Sequence, residues 1–319
     1  MSAQKNSSDG FHRKDLTGIA DLSAEEINAI LETAASMKEA TERKIKKVPA
    51  LKGITIANLF FEPSTRTKAS FEIAEKRLSA DVLNFTVSQS SVTKGENLLD
   101  TAKNLEAMGA EVIIIRHPMS GAPEILARQT GVSVVNAGDG SNEHPSQALL
   151  DLLTIRQAKG RVKGLKVLIV GDILNSRVAR SDIHALLKLG ARVGIVGPCS
   201  MLPVHFAEMG VEIFHSMEDA LPGTDVVIML RVQTERDGNL YFPSVREYFK
   251  FFGLTEERVK LAPPGLTIMH PGPLNRGIEM MSEVAYGKGS AVLDQVANGI
   301  SVRMAILYLL CSRKTEARE

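Results

Sequence analysis

Apolar and polar positions follow two rhythms along this chain. Between Ser23 and Met37 the residues Ile27, Ile30, Leu31, Ala34 and Met37 recur at helical spacing, and Ser23 with Glu26 three residues on forms a capping box that marks where the helix starts. Short β-rich runs follow at Ile54–Phe60, Val82–Thr86, Val112–Arg116 and Val132–Asn136, with helical patterns such as Leu98, Ala102 and Leu105 between them. After a helix over Pro145–Lys159 a second series begins, with runs at Val167–Val170, Val193–Val196, Val211–Phe214, Val226–Leu230 and Leu266–Met269. Alternation of this kind predicts an α/β protein of two doubly wound lobes, each a mainly parallel sheet flanked by helices, with the active site in the cleft between them. The glycine-bounded, charged stretch Gly160-Arg161-Val162-Lys163-Gly164 marks the entry to the second lobe. The expected organisation is a flexible N-terminus over 1–14, a first domain over 15–150 and a second over 151–290. Residues 291–319 form a C-terminal helix that packs back on the first domain, with Val296, Ile300, Met304, Leu307 and Leu310 on one side from Asp294 to about Ser312. No repeat of about 20 to 50 residues runs through the chain, which excludes a solenoid.

Composition narrows the function. The 319 residues hold 38 basic and 37 acidic side chains for a net charge of +1, so no broad basic face attracts nucleic acid by releasing counterions. A 44% hydrophobic content is that of a globular chain. The two cysteines, Cys199 and Cys311, cannot build a disulfide framework and form no CxxC pair, which points to a reducing, cytoplasmic setting. The segment MSAQKNSSDGFHRKD has no apolar core of a signal peptide, and no apolar run reaches the roughly 18 residues of a membrane span, so no membrane partner is expected. The seven histidines and the carboxylates show no HxxxH or comparable spacing, so no metal is expected. The turn at Gly171-Asp172 lacks GxGxxG and a ribose-binding acid, which argues against a dinucleotide; no cofactor is expected.

Chemistry is written most plainly after the first run, in Phe60-Phe61-Glu62-Pro63-Ser64-Thr65-Arg66-Thr67-Lys68. A strand that ends at Pro63 and opens into a helix at Ser64 presents unbonded amides and a positive dipole end. Ser64, Thr65 and Thr67 add hydroxyl donors, and Arg66 adds a planar fork that fits two phosphate oxygens. A lone serine there would be read as a helix cap. Three hydroxyls bracketing an arginine favour an anion site. Arg116 follows another strand, at the edge where ligands of open parallel sheets collect, and His144 precedes a helix that Pro145 can begin, with Gln147 one turn on. Arg177 again stands at a strand-to-helix turn, and Arg231 and Gln233 are two apart, hence on one face of an extended segment.

The motif Phe60-x-Glu62-x-Ser64-Thr65-Arg66-Thr67 resembles the carbamoyl phosphate signature of the aspartate/ornithine transcarbamoylase family. His144-Pro145-Ser146-Gln147-Ala148-Leu149-Leu150-Asp151, Arg116-His117-Pro118, Arg231-Val232-Gln233 and His270-Pro271-Gly272-Pro273 resemble further family motifs, in family order, from about Leu16 onward. The resemblance implies that 15–150 binds carbamoyl phosphate and 151–290 the amine substrate. It implies that Ser64, Thr65, Arg66, Thr67 and Arg116 hold the phosphate, and that Thr67, Arg116 and His144 bond the carbonyl oxygen. Gln147, with backbone carbonyls near Pro271 and Gly272, takes the carbamoyl amide. By the same resemblance the loop of Ser90 and Lys94 reaches a neighbouring subunit's site, Ser90 on the phosphate and Lys94 on both substrates, so a homotrimer with shared active sites is implied. Thr93 stands where the family often has a second lysine, and Gly272 where some relatives carry a larger residue.

Within the family, Arg231-Val232-Gln233 and a proline loop without cysteine resemble the branch that uses L-aspartate, its two carboxylates met by Arg177 and by Arg231 with Gln233; Lys94, Gly272 and Pro273 complete that subsite. Ornithine would call for an acid opposite its distal ammonium, and none is placed there. The implied activity belongs to pyrimidine synthesis, and a regulatory chain or another pyrimidine-pathway enzyme is a conceivable partner. The reaction, attack of an amine on a carbonyl with loss of phosphate, needs no protein nucleophile, and the chain offers no convincing Ser-His-Asp or Cys-His arrangement. A phosphate-ligand sensor or inactive scaffold is the competing reading, weakened by the intact motif residues. Arg276 and Glu279 are spaced to pair locally or to reach the other lobe.

Overall fold

A computed structural model describes residues 10–86, 97–232 and 243–316. The described residues fall into two compact units, one within 1–153 together with 297–319 and the other Thr154–Val296. Each unit is built on one wholly parallel sheet. The first unit has β1 (Thr55–Phe60), β2 (Asp81–Thr86), β3 (Val112–His117) and β4 (Ser133–Asp139), ordered β2-β1-β3-β4. Its helices are α1 (Ala24–Glu42), α2 (Thr65–Arg77), α3 (Leu98–Ala107), α4 (Ala122–Gln129) and the start of α5 (Pro145–Lys159). The second unit has β5 (Lys166–Val170), β6 (Arg192–Val196), β7 (Glu212–Phe214), β8 (Val226–Met229) and β9 (Thr267–Met269), ordered β7-β6-β5-β8-β9. With them run α6 (Arg177–Lys188), α7 (Met217–Ala220), α8 (Val245–Phe252), α9 (Glu256–Val259), α10 (Ser282–Ala285) and the start of α11 (Val292–Glu316).

The continuous apolar runs have a direct cause. Val112 to Ile115 are all fully buried, because a parallel strand covered by helices on both faces has no solvent side. Leu59, Ile113 and Ile115 pack with Leu105 and Leu126 in the first core, and Leu168, Val170, Val227 and Met229 with Leu254 and Ile268 in the second. Each such side chain contributes about 1.5–3 kcal/mol on burial. Both sheets share a topological feature. In the first unit the chain moves outward from β1 to β2, then returns to place β3 on the other side of β1; in the second, β6 and β7 lie on one side of β5 and β8 on the other. The switch points between β1 and β3 and between β5 and β8 leave openings at the carboxyl ends of the strands, where open α/β sheets bind ligands.

Three expectations are corrected. Residues 11–14 do not fray: Phe11 is buried, Arg13 Nε bonds Glu26 Oε1 at 2.6 Å, and Lys14 Nζ donates to the carbonyls of Ala127 and Thr130. Leu16 then exchanges backbone bonds with β4, so one aromatic anchor and a sheet edge outweigh the polar composition. Strand β4 runs three residues past Asn136, because the side chains of Asn136 and Asp139 are hydrogen-bonded inside the unit. Finally, Val292–Ser312 of α11 is long and apolar enough by composition to cross a membrane, but 72% of its window is buried inside the protein. Its polar members are engaged there: Asn298 accepts from Lys38 Nζ at 3.0 Å, and Gln295 accepts from the His270 amide at 2.8 Å, as in a core helix.

Candidate active site

In the first unit the residues singled out by sequence collect at the carboxyl edge of adjacent strands. Thr65, Arg66 and Thr67 form the first turn of α2, directly after β1, with Arg66 exposed and Thr67 buried. Ser64 occupies the N-cap position but its side chain makes no capping hydrogen bond, so the hydroxyl is not spent on closing the helix. Arg116 is paired with Phe60 in the register of β1 and β3, which sets it beside the start of α2. Its guanidinium lies 3.3 Å from Glu62 and donates to the Ala137 carbonyl at 3.2 Å, a partner on each neighbouring strand segment. Next to it His117 packs edge-on to Phe61 and accepts from the Met119 amide, and burial pushes its pKa below the usual histidine range.

His144 is buried immediately before α5, and its carbonyl takes the amides of Gln147 and Ala148. The turn that carries it is pinned by two acids that sequence reasoning missed. Asp139 accepts from Gly121 N, Asn136 Nδ2, Asn142 Nδ2 and Glu143 N; Glu143 accepts from the amides of Ile19 and Ala20. Only the crowding of Asn, Asp and Gly around β4 could have signalled this, and that composition reads equally well as a solvated loop. Gln147 lies one turn inside α5 and is buried.

The second unit repeats the arrangement at its own switch point. Gly171 follows β5 with φ +130°, and a Cβ there would meet Leu230 Cβ and the Tyr248 hydroxyl at 3.1 Å, so glycine lets the ends of β5 and β8 approach. Asp172 then accepts from the Asn175 amide and side chain, Ser176 caps α6, and Arg177 opens the helix, itself buried. Arg231 follows β8 and is half-buried. The loop after β9 carries half-buried Pro271 and Gly272 and exposed Pro273, with His270 Nδ1 accepting the Gly272 amide at 2.8 Å.

A buried acid ties these two loops together. Glu279 Oε1 accepts from the Val232 amide at 2.9 Å and from Asn275 Nδ2 at 2.9 Å, and its Oε2 accepts from the Asn275 amide at 2.8 Å. Burial raises its pKa, and these donated hydrogen bonds oppose the rise. Arg276, spaced to pair with Glu279, instead lies over the Tyr286 ring. Ser90, Lys94 and Gln233 lie outside the described residues. Among the described residues no group of three or more His, Cys, Asp or Glu side chains is arranged to hold a metal ion.

Two anion-receptive clusters at the switch points of parallel sheets define a class of protein that binds charged small molecules, and comparison with known proteins gives the family. The sequence matches the family descriptions "Aspartate/ornithine carbamoyltransferase, carbamoyl-P binding domain" over residues 14–157 and "Aspartate/ornithine carbamoyltransferase, Asp/Orn binding domain" over residues 163–310. The chain belongs to the aspartate/ornithine carbamoyltransferase family. It is 57% identical over 300 residues to the aspartate carbamoyltransferase catalytic subunit of Syntrophotalea carbinolica, covering 94% of this chain and 96% of that one. To the same-named protein of Halothermothrix orenii it is 55% identical over 302 residues, 95% of this chain and 96% of the other. Among solved structures it resembles aspartate transcarbamoylase from Trypanosoma cruzi in complex with carbamoyl phosphate and aspartate, with a TM-score of 0.84 and 30% identity over 92% of this chain and 95% of that one. The complex of that enzyme with N-(phosphonacetyl)-L-aspartic acid matches with a TM-score of 0.85 and 30% identity, over 92% and 94% of the two chains.

Proposed function

We propose that this chain is an aspartate carbamoyltransferase, converting carbamoyl phosphate and L-aspartate to N-carbamoyl-L-aspartate and phosphate in pyrimidine synthesis. The observation that carries the reading is the gathering of Ser64, Thr65, Arg66, Thr67, Arg116, His144 and Gln147 along the carboxyl edge of the first sheet. Carbamoyl phosphate is held there, its phosphate on the amides and hydroxyls of the first turn of α2 and on Arg66. The aspartate amine attacks the carbonyl carbon, a C–N bond forms, and the carbonyl oxygen gains negative charge. Thr67, Arg116 and His144 stabilise that charge as hydrogen-bond donors, which is where an enzyme without a covalent step gains most of its rate. The C–O bond to phosphate then breaks, and the amine proton leaves with the phosphate. Arg177 and Arg231, with Gln233, Gly272 and Pro273, take the aspartate carboxylates and backbone.

Carbamoyl phosphate binds first, since its charge is the larger and its site is complete without the amine. The working form is a cytoplasmic homotrimer in which Ser90 and Lys94 of a neighbouring copy complete each site. A colorimetric assay for carbamoyl-aspartate, run in parallel with L-ornithine, tests the assignment. Product with aspartate and none with ornithine is expected; the reverse preference would move the chain to the ornithine branch. His144→Ala lowers turnover by about 10² to 10³ while phosphate binding changes little.

A further inference from the structure

Gln147 and Asp151 are four apart on α5, and Gln147 Nε2 lies 3.1 and 3.2 Å from the two Asp151 carboxylate oxygens. On a solvent face such a pair is worth only a few tenths of a kcal/mol and specifies nothing. This pair is buried, with Gln147 8% and Asp151 1% exposed. An ionised carboxylate can only accept, so it takes the NH2 end of the glutamine and leaves the oxygen as the end turned away. That matters because the two ends of a glutamine side chain are nearly equal in shape, and only the surrounding hydrogen bonds decide between them.

Arg303 on α11, 4% exposed, lies near enough for its charge and that of Asp151 to attract each other. Its Nη1 donates to the Gly299 carbonyl at 3.0 Å, and its guanidinium lies 4.9 Å from the Phe71 ring centre on α2. Burial lowers the Arg303 pKa to about 10, with the Asp151 charge opposing that fall and the Arg116 charge adding to it. Arg303 therefore remains a cation at neutral pH, with Asp151 as its attractive partner and Arg116 close enough to be felt. None of this is legible locally, since 152 positions separate the two partners in the sequence.

We propose that Asp151 is a positioning residue that fixes the Gln147 amide with its oxygen directed at the NH2 group of a carbamoyl ligand. The inference rests on the carbamoyl phosphate reading above. A carbamoyl NH2 is a donor, so a flipped glutamine would set donor against donor; a bare phosphate makes no such demand. Asp151 thus acts on recognition of the carbamoyl end and leaves the phosphate end alone.

The test uses the full chain and two probes, phosphonoacetamide and inorganic phosphate, titrated by calorimetry against wild type and Asp151→Asn, with a thermal melt to verify folding. Asparagine can turn either end toward Gln147 and no longer dictates its orientation. Phosphonoacetamide affinity is expected to fall by about tenfold, the loss of one hydrogen bond, with phosphate affinity within about twofold of wild type. Arg303→Lys, which keeps the charge, is expected to retain most of the phosphonoacetamide preference. Equal loss of both ligands, or loss of neither, would overturn the proposal. Should Asp151→Asn not fold, neutron diffraction from the deuterated wild-type complex with phosphonoacetamide decides: deuterium on the Gln147 atom facing Asp151 supports the assignment, and deuterium on the ligand side refutes it. If wild type neither prefers phosphonoacetamide to phosphate nor makes carbamoyl-aspartate, it is the function that fails rather than the positioning role.

Discussion

Glu75 on α2 and Asn58 on β1 are both fully buried, and Asn58 Nδ2 donates to Glu75 Oε2 at 3.0 Å. Their remaining oxygens, Glu75 Oε1 and Asn58 Oδ1, have no hydrogen-bond partner, so an ionised Glu75 leaves two acceptors stranded. A proton on the carboxyl supplies the missing donor. Burial accordingly pushes the Glu75 pKa up to about 7, with the Asn58 bond only partly opposing it. Because the folded pKa lies above the unfolded one, the folded state holds the proton longer. Stability conferred by this group is complete below the unfolded value and drains away as pH rises to about 7, a loss of about 3 kcal/mol in all. Glu75→Gln keeps the shape and provides a permanent donor. In urea titrations at pH 5 and pH 8, the wild type should weaken relative to Glu75→Gln as pH rises, by about that amount; parallel pH profiles for the two proteins would refute the buried-acid account. The sequence gives no sign of this pair. Glu75 stands in Glu72-Ile73-Ala74-Glu75-Lys76-Arg77, which reads as an ordinary solvated helix face. Only the parallel pairing of β1, with α2 laid over it, turns that one acid inward.

Two helix starts that look alike in sequence differ in what their serines do. At α1 the expected capping box is present in full, with Glu26 N bonded to Ser23 Oγ and Ser23 N bonded to Glu26 Oε2. At α2 the hydroxyl of Ser64 caps nothing. Ser23→Ala should therefore cost about 1 kcal/mol of stability without touching phosphate affinity. Ser64→Ala should leave stability within about 0.5 kcal/mol while phosphate affinity falls by about tenfold. Denaturation and phosphate titration of the two variants read this directly, and a stability loss at Ser64 equal to that at Ser23 would return Ser64 to the role of a cap. Elements of this kind were legible because each carries its own local signal: β-branched runs such as Val112–Ile115, the Ser23–Glu26 box, and Pro145 at the first position of α5. Strand ends were less so. Asn136, Gly138 and Asp139 look like a turn, and only the side-chain bonds of Asn136 to the Thr17 carbonyl and to Asp139 let β4 continue through them.

At the scale of the molecule, alternation of strand and helix told that the sheets are parallel but not the order of their strands, and the switch points exist only in that order. The motif residues were legible one at a time; the acids that hold their loops, Asp139, Glu143 and Glu279, were not, since each acts on partners brought close by the fold. The homotrimer of the proposed function is tested by complementation between two variants. If Ser90 and Lys94 serve the site of a neighbouring copy, then Arg66→Ala and Lys94→Ala damage the same site from two different chains. An equal mixture, unfolded and refolded together, assembles sites at random. A site is intact when its own chain carries Arg66 and the chain that lends the loop carries Lys94, which holds for about one site in four in a closed ring. Recovery of about a quarter of wild-type activity from two nearly inactive variants is therefore expected. Mixtures no more active than either parent, although native electrophoresis shows hybrids, would mean that Lys94 serves its own chain and that each chain carries a complete site.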